Sequence, residues 1–280
     1  MHDVWQIDGL ERALIGTGER VCSLTISEIK SGSLLKYTFF EYACLRDVPL
    51  AQIHEFFECL FQQWGLPGVI QVDNGYPWKS GNKEMPTLLT LWWIGLGIKV
   101  HFNRVHCPQE NAWVENHNGL ITRWLEVEKA PNIQTLNEQS TWLHKIQIAQ
   151  LRVRKFNNTT RIQAFPQLYQ VIRAFKPEMF NFRHCEQYIS ENFIFRRKVH
   201  KKGQFEFEAK RTAIGKEYAL TTVDIKYDIS LKQFSIWDEN KQCIKQLKLE
   251  YFEDNYLKQI FIFKKYEILK SNIINIQNSA

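Results

Sequence analysis

The chain begins with a short apolar run that ends in an acid, "VWQID" (Val4 to Asp8), followed by two more β-prone runs, "VCSLTISEI" and "LLKYTFFEY", separated by "KSGS". This pattern predicts three strands in an antiparallel start. From Pro49 the period changes. Leu50, Ile53, Phe56, Phe57, Leu60, Phe61 and Trp64 recur at helical intervals and the pattern stops at Gly65 and Pro67, which predicts an amphipathic helix. "GVIQVDNG" then reads as a compact strand ending in Asp73 and the turn pair Asn74-Gly75. A helix over about Met85 to Leu96, a strand from Ile98 to Asn103 and a helix beginning near Gln109 complete this half. Strands first, then strands alternating with helices, predict a mixed sheet covered by helices.

From Lys145 to Pro177 seven cations occur without one Asp or Glu. Beyond Phe180 the texture turns to short alternating runs such as "QFEFEAK" and "YALTTVDIKYDIS", punctuated by Gly203 and an Asp238-Glu239-Asn240 turn, as in a small antiparallel barrel. Asp254 to Ala280 is rich in Ile, Lys and Asn and reads as a peripheral helix or frayed tail.

At 280 residues the chain exceeds the usual single-domain size, so two compact units are expected. Hydrophobic content of 44% with 24% charged residues excludes a disordered chain. A formal net charge of +6 is compatible with a polyanion partner without establishing one. There is no leader-like start, and the longest mostly apolar stretch, Met85 to Ile98, is too short to cross a bilayer. We expect a cytoplasmic, nucleoid-associated protein with no membrane partner. The six cysteines form no CxxC pair, which argues for reduced thiols; His101, His106 and Cys107 lie close together but lack a matching second pair for zinc.

The acids carry the chemistry. Asp8 and Asp73 each end an apolar strand, where open sheets hold ligands. Asn111, Glu115 and Asn118 fall at intervals of four and three, so they share one helical face. Three converging carboxylates repel one another unless neutralised, and oxygen ligands of this kind suit Mg²⁺ or Mn²⁺, which point to phosphoryl transfer. An Asp followed by Asn-Gly is also a common turn, so spacing alone leaves a plain loop open. Glu110 competes with Glu115: 36 residues separate it from Asp73, against 41 for Glu115.

"WQIDG", "VDNGYPW" and "PQENAWVENHNG", in that order, resemble the catalytic core of retroviral-integrase-like transposases, in particular bacterial insertion-sequence transposases with an Asp, Asp, Glu triad. The similarity runs from about Trp5 to Tyr169, where "RIQAFPQLY" resembles the segment after that core. It implies an α/β fold, an RNase H-like mixed sheet flanked by helices, followed by a small antiparallel β-barrel domain. It further implies metal-dependent DNA strand cleavage and strand transfer by Asp8, Asp73 and Glu115, with "NAWVE" favouring Glu115 as the catalytic and metal-binding acid. The partners implied are element ends and target DNA, bound by a homo-oligomer. The expected organisation is a core over 1–130, a basic helical connector over 131–179, the barrel over 180–252 and a tail over 253–280. Asn116 and His117 stand where such relatives carry basic or aromatic residues. Related transposases begin with helix-turn-helix domains, whereas this sequence starts within a few residues of the first strand, which suggests a fragment, a split reading frame or a decayed copy.

For DNA contacts, Arg152, Arg154, Lys155 and Arg161 of the acid-free segment are expected along phosphates; the alternative is a solvated helix face, but the lack of any compensating acid favours the phosphate role. Arg196, Arg197 and Lys198 of "FRRKVHKKG" form a second basic cluster at a hairpin. Asn74, Asn111, Asn118 and Arg123 flank the acids. Of the tryptophans only Trp78, beside the Asp73 turn, is expected at DNA; the others, including Trp124 and Trp142, are expected to fill cores. The rival functions are a catalytically inactive, transposase-derived DNA-binding protein, a metal-dependent nuclease and a purely structural module.

Overall fold

The computed structural model describes residues 1–79, 85–104 and 107–258. They divide into two compact units, one from 1–79 and 98–176, the other from the described residues of 80–97 and 177–280. The expected tail lies outside the described residues beyond Lys258, as does His106.

In the first unit β1 (Val4–Leu14), β2 (Arg20–Glu28) and β3 (Ser33–Phe40) form the expected antiparallel start. Then come α1 (Leu50–Trp64), β4 (Val69–Val72), α2 (Leu88–Gly95), which groups with the second unit, and β5 (Lys99–Phe102). β4 runs parallel to β1 and β5 parallel to β4, giving one five-stranded sheet in the order β3-β2-β1-β4-β5. It is a mixed sheet flanked by helices, consistent with the RNase H-like arrangement. α3 (Ala112–Leu125), α4 (Ile133–Ala149), the short strands β6 (Arg152–Val153) and β7 (Thr159–Thr160) and the single turn α5 (Arg161–Ala164) follow.

Alternation along β1 sorts the two faces of this sheet. Trp5 and Ile7 are fully buried, and Trp5 packs 6.0 Å from Phe61 of α1. α1 stops where predicted: Gly65 adopts φ +78°, and a Cβ there would meet the carbonyl oxygen of Arg173 at 2.6 Å. The opposite face carries Gln6, Asp8, Ser23, Thr25 and Ser27, so beneath α3 the sheet is polar. Apolar packing resumes toward β3, where Val21, Tyr37 and Phe39 meet Ile121, Leu125, Leu136 and Leu143.

Of the segment expected as a separate basic connector over 131–179, residues 131–176 group with this unit. α4 lies against β3, with Ser140 Oγ donating to Tyr37 O at 3.1 Å and Gln147 Oε1 accepting from Leu34 N at 3.1 Å. Lys145, Arg152, Arg154 and Lys155 of the segment are exposed, while its fold role comes from these inward groups.

In the second unit α2 packs on α6 (Phe182–Asn192), where Cys185 Sγ donates to Leu91 O at 3.1 Å. α2 is apolar all round and Leu89 to Gly95 are all buried. β8 (Phe195–Lys198), β9 (Gln204–Phe207), β10 (Lys210–Ala213), β11 (Thr222–Asp228), β12 (Gln233–Trp237) and β13 (Cys243–Leu247) are all antiparallel, and α7 (Asp254–Lys258) follows. Among the described residues they form a four-stranded sheet, β13-β12-β11-β8, and a separate β9–β10 hairpin, so backbone pairing closes no barrel. Phe195, Phe207 and Phe234 pack together between the two. All six cysteines are free thiols, and no described helix is long and apolar enough to cross a membrane.

α3 is pinned to the polar face by a buried histidine. Gln147 Nε2 donates to Gly32 O at 3.0 Å and approaches His117 Nε2 at 3.0 Å, while His117 Nδ1 lies 2.6 Å from Ser27 Oγ. Because Leu34 N–H fixes the Gln147 amide with its nitrogen toward His117, that ring nitrogen must accept, and the imidazole is neutral with its proton on Nδ1. Burial, reinforced by the charge of Arg161, pushes the His117 pKa down to about 3 from 6.5. The unfolded chain therefore binds a proton between these values that the folded chain refuses. The stability this group contributes is present above pH 6.5 and is lost as pH falls toward 3. We predict that urea titrations across this window give a shallower pH dependence for His117→Gln than for the parent; equal slopes would refute the neutral buried imidazole.

Candidate active site

The parallel register of β1 and β4 pairs Trp5 with Ile70 and Gln6 with Gln71. Two residues further along each strand, Asp8 and Asp73 stand side by side at the carboxyl end of the parallel pair. Both line one cleft of about 500 Å³, with Gly9, Glu11, Arg12, Leu45, Arg46, Gly75, Tyr76 and Trp78. Asp73 accepts from Gly75 N at 3.1 Å, the turn that the Asn-Gly pair permits.

α3 crosses the same face. A turn over Pro108–Asn111 precedes it, and Asn111 is buried, accepting from Asn103 Nδ2 at 3.1 Å. Two turns on, Asn118 Nδ2 donates to Asp8 Oδ2 at 3.1 Å while its Oδ1 accepts from Thr25 Oγ1 at 2.5 Å. Glu115 lies between these anchors and is exposed. Glu110 is committed elsewhere: its carboxylate accepts from Arg104 N at 2.8 Å and Arg104 Nε at 2.6 Å. The Arg104 backbone N–H, then its guanidinium, hold the Glu110 carboxyl below the usual range.

The cleft is electrostatically unfavourable as it stands. Burial pushes Asp8 up to about 6, and the charges of Asp73 and Glu115 add to that rise, opposed by hydrogen bonds from Gly9 and Asn118. Partial desolvation also raises Asp73, helped by the charge of Glu11 and opposed by the Gly75 N–H. The charges of the other two predicted acids thus reach Asp8. Among the described residues, however, no three His, Cys, Asp or Glu side chains stand close enough together to hold a metal ion. Asp8 and Asp73 are a pair of hard oxygen donors lacking a cationic partner at hydrogen-bond distance among the described residues, which fits a divalent ion chemically.

The expected DNA contacts divide sharply. Arg152, Arg154 and Lys155 are exposed, with Lys155 5.7 Å over the Trp113 ring. Arg123 is exposed and bonds back to Gly119 O. Arg161 is turned inward, donating to Gly32 O at 2.8 Å and Gln147 O at 3.1 Å, so it serves the fold and is not free for phosphate. Trp78 is 2% exposed and edge-on to Phe57, so it is a core residue and cannot stack on a base. Asn111 and Asn118 are spent on Asn103 and Asp8, and Asn74 Nδ2 donates to Asn103 O at 2.7 Å. In the second unit Arg196 pairs with Asp224 at 3.0 Å and Arg197 bonds to Glu206 O at 3.0 Å, while Lys198 is exposed. Conversely, Trp124 and Trp142, expected in cores, are 45% and 61% exposed.

Sequence reasoning missed Glu11, Arg12 and Arg46 at the cleft. Their signal is weak: β1 shifts register between Leu10 and Ala13, and Arg12 takes φ +57°, so strict alternation does not say where they face.

No protein-family model matches the chain, and no curated protein matches it. Among solved structures, it is similar to a chain of the cryo-EM structure of a simian T-cell lymphotropic virus intasome in complex with PP2A regulatory subunit B56 gamma. The identity is 15% over 89% of this chain and 80% of that one, with a TM-score of 0.45. It is also similar to the catalytic core domain of BIV integrase, 15% identical over 60% of this chain and 95% of that one, with a TM-score of 0.40.

The charges in the cleft give a titration test. Asp73→Asn and Glu115→Gln should each lower the Asp8 pKa from about 6, because each removes a like charge. Asn118→Ala should raise it by removing a donor to the ionised form. Carboxyl NMR titration reads these shifts, and an Asp8 that titrates alike in all three variants would separate it from the other acids.

Proposed function

We propose that the chain is a polynucleotidyl transferase of the integrase and transposase type, which cuts DNA strands and joins them with a divalent metal ion. Asp8 on β1 and Asp73 just past the end of the adjacent parallel β4, with the charges of Asp73 and Glu115 both reaching Asp8, carry this reading. Such a pair at the carboxyl ends of parallel strands, facing a cleft, suits binding of an ion together with phosphate oxygens. Bound there, Mg²⁺ or Mn²⁺ would activate a water or a DNA 3′-hydroxyl and stabilise the leaving oxygen. Asp8 and Asp73 would hold it, and Glu115, whose charge reaches Asp8, is the third acid this reading assigns to the ion.

The rest of the work falls to the chain itself. Asn118 donates to one oxygen of Asp8 and thereby fixes the carboxylate plane. Asp8, raised to about 6, is mostly ionised at neutral pH and loses its charge as pH falls through that value. Arg152, Arg154 and Lys155, exposed and free of any carboxylate in the described residues, suit sequence-independent contact with phosphates. On this reading DNA is the partner and a homo-oligomer assembles on it.

Asp8→Asn, Asp73→Asn and Glu115→Gln should each reduce Mg²⁺-dependent cleavage and joining of a DNA duplex by at least about a hundredfold while leaving DNA affinity within a few-fold. Joining that survives all three substitutions together sinks the proposal. A parent chain that cuts but never joins a pre-cut end is a nuclease, and one that only binds DNA, with salt-dependent affinity, is a non-catalytic derivative.

A further inference from the structure

Gln6-Ile7-Asp8 on β1 and Gln71-Val72-Asp73 at the end of β4 repeat one pattern: an amide, a β-branched residue, an acid. Gln6 and Gln71 are register partners, so the two glutamines occupy one rung of the sheet and the two aspartates the next on the same face. Gln6, 4% exposed, donates Nε2 to the main-chain oxygen of Glu110. Gln71 Nε2 donates to that same oxygen at 2.8 Å and to Asn103 Oδ1 at 2.7 Å. Asn103, which follows β5, passes the contact on to Asn111. Three neighbouring parallel strands thus each give one amide to the turn that starts α3.

We infer that Gln6, Gln71 and Asn103 are positioning residues, an amide ladder that sets the first turn of α3 and so aims Glu115, one turn past Asn111, toward Asp8 and Asp73. The catalytic part of this inference rests on the proposed function; the structural part does not.

The chemistry of the rung supports the assignment. Glu110 O can only accept, which forces the Gln6 amide nitrogen toward it and leaves Gln6 Oε1 buried without a partner. A residue placed merely to fill volume would be apolar and would leave no orphan acceptor. A cation at this rung would ion-pair with Asp8 or Asp73 and quench the charge of the cleft, and a third acid there would add to their repulsion. A neutral amide holds the helix without doing either.

The test uses the full chain with Gln6→Met and Gln71→Met together, and Gln71→Met alone as the milder variant, since Met keeps the volume and removes the donor. Hydrogen exchange across residues 112–118 should be faster in both variants while β2 and β3 keep their protection. The double variant should lower kcat for Mg²⁺-dependent cleavage by about tenfold or more with KM for DNA little changed. In a Glu115→Asp background, where the acid is already withdrawn, the same pair should cost less than about threefold. Unchanged exchange over 112–118 overturns the ladder whatever the activity. A kcat loss equally large in the Glu115→Asp background overturns the positioning role. A parent chain that neither cuts nor joins DNA overturns the proposed function instead, and the exchange result then decides the ladder alone.

Discussion

The parallel pairing of β1 with β4 governs the molecule's chemistry. One register sends Trp5, Ile7, Ile70 and Val72, all fully buried, to the apolar face, and it brings Asp8 level with Asp73 on the other. A slip of one residue on either strand would turn a carboxylate into the packing around Phe57 and Phe61 and expose an apolar side chain. Each of those four residues contributes about 2 kcal/mol by burial. Two like charges near a surface cost on the order of a few kcal/mol at close range. The apolar face therefore wins, and it holds together two acids that would separate if left to themselves.

What rests on the polar face has to be held without charge. α3 meets the sheet through amides, hydroxyls and a neutral imidazole: Gln6 and Gln71 at its entry, Thr25 with Asn118 beside Asp8, Ser27 and Gln147 around His117. Gln6 and Gln71 are locked in orientation by a carbonyl that can only accept, and Gln147 by a backbone N–H that can only donate, so the helix is specified in register as well as in contact. The same choice leaves the charge of Asp8 uncompensated inside the protein, which is why its carboxyl is driven up to about 6. Stability is given up at the place where an anionic cleft is kept.

The elements of the first unit are legible in the sequence because alternation and helical period each persist over several turns, from Val4 to Leu125. Asp73 could be read from a strand end, since it directly follows β4, whereas Asp8, expected to end its strand, lies inside β1, which runs on to Leu14. What the sequence hides is burial and partner choice. Trp78 follows a turn and looks available, yet it is inserted against Phe57. Arg161 sits in a run of unpaired cations and looks free, yet two main-chain carbonyls claim it. Gln6 and Gln71 look like ordinary polar positions on strands until their register is known. α2, apolar on every side, offers no period to say which unit it will join.

Charge shows the same division. The formal excess of +6 is a sum, and the fold redistributes it. Arg161 and Arg173 satisfy carbonyl oxygens, Arg196 satisfies Asp224 and Arg104 satisfies Glu110, so these cations stabilise the fold and add little attraction for a polyanion. Arg152, Arg154 and Lys155 remain open to solvent, Lys155 over the ring of the α3 residue Trp113. A polyanion is attracted to such free cations and repelled by the Asp8–Asp73 cleft, unless a divalent ion bridges the two sets of negative charge. On the proposed function that opposition sets the order of events: backbone contact can be made by the basic surface alone, whereas entry of a phosphate into the cleft requires the ion, which couples the reaction to metal without coupling DNA affinity to it.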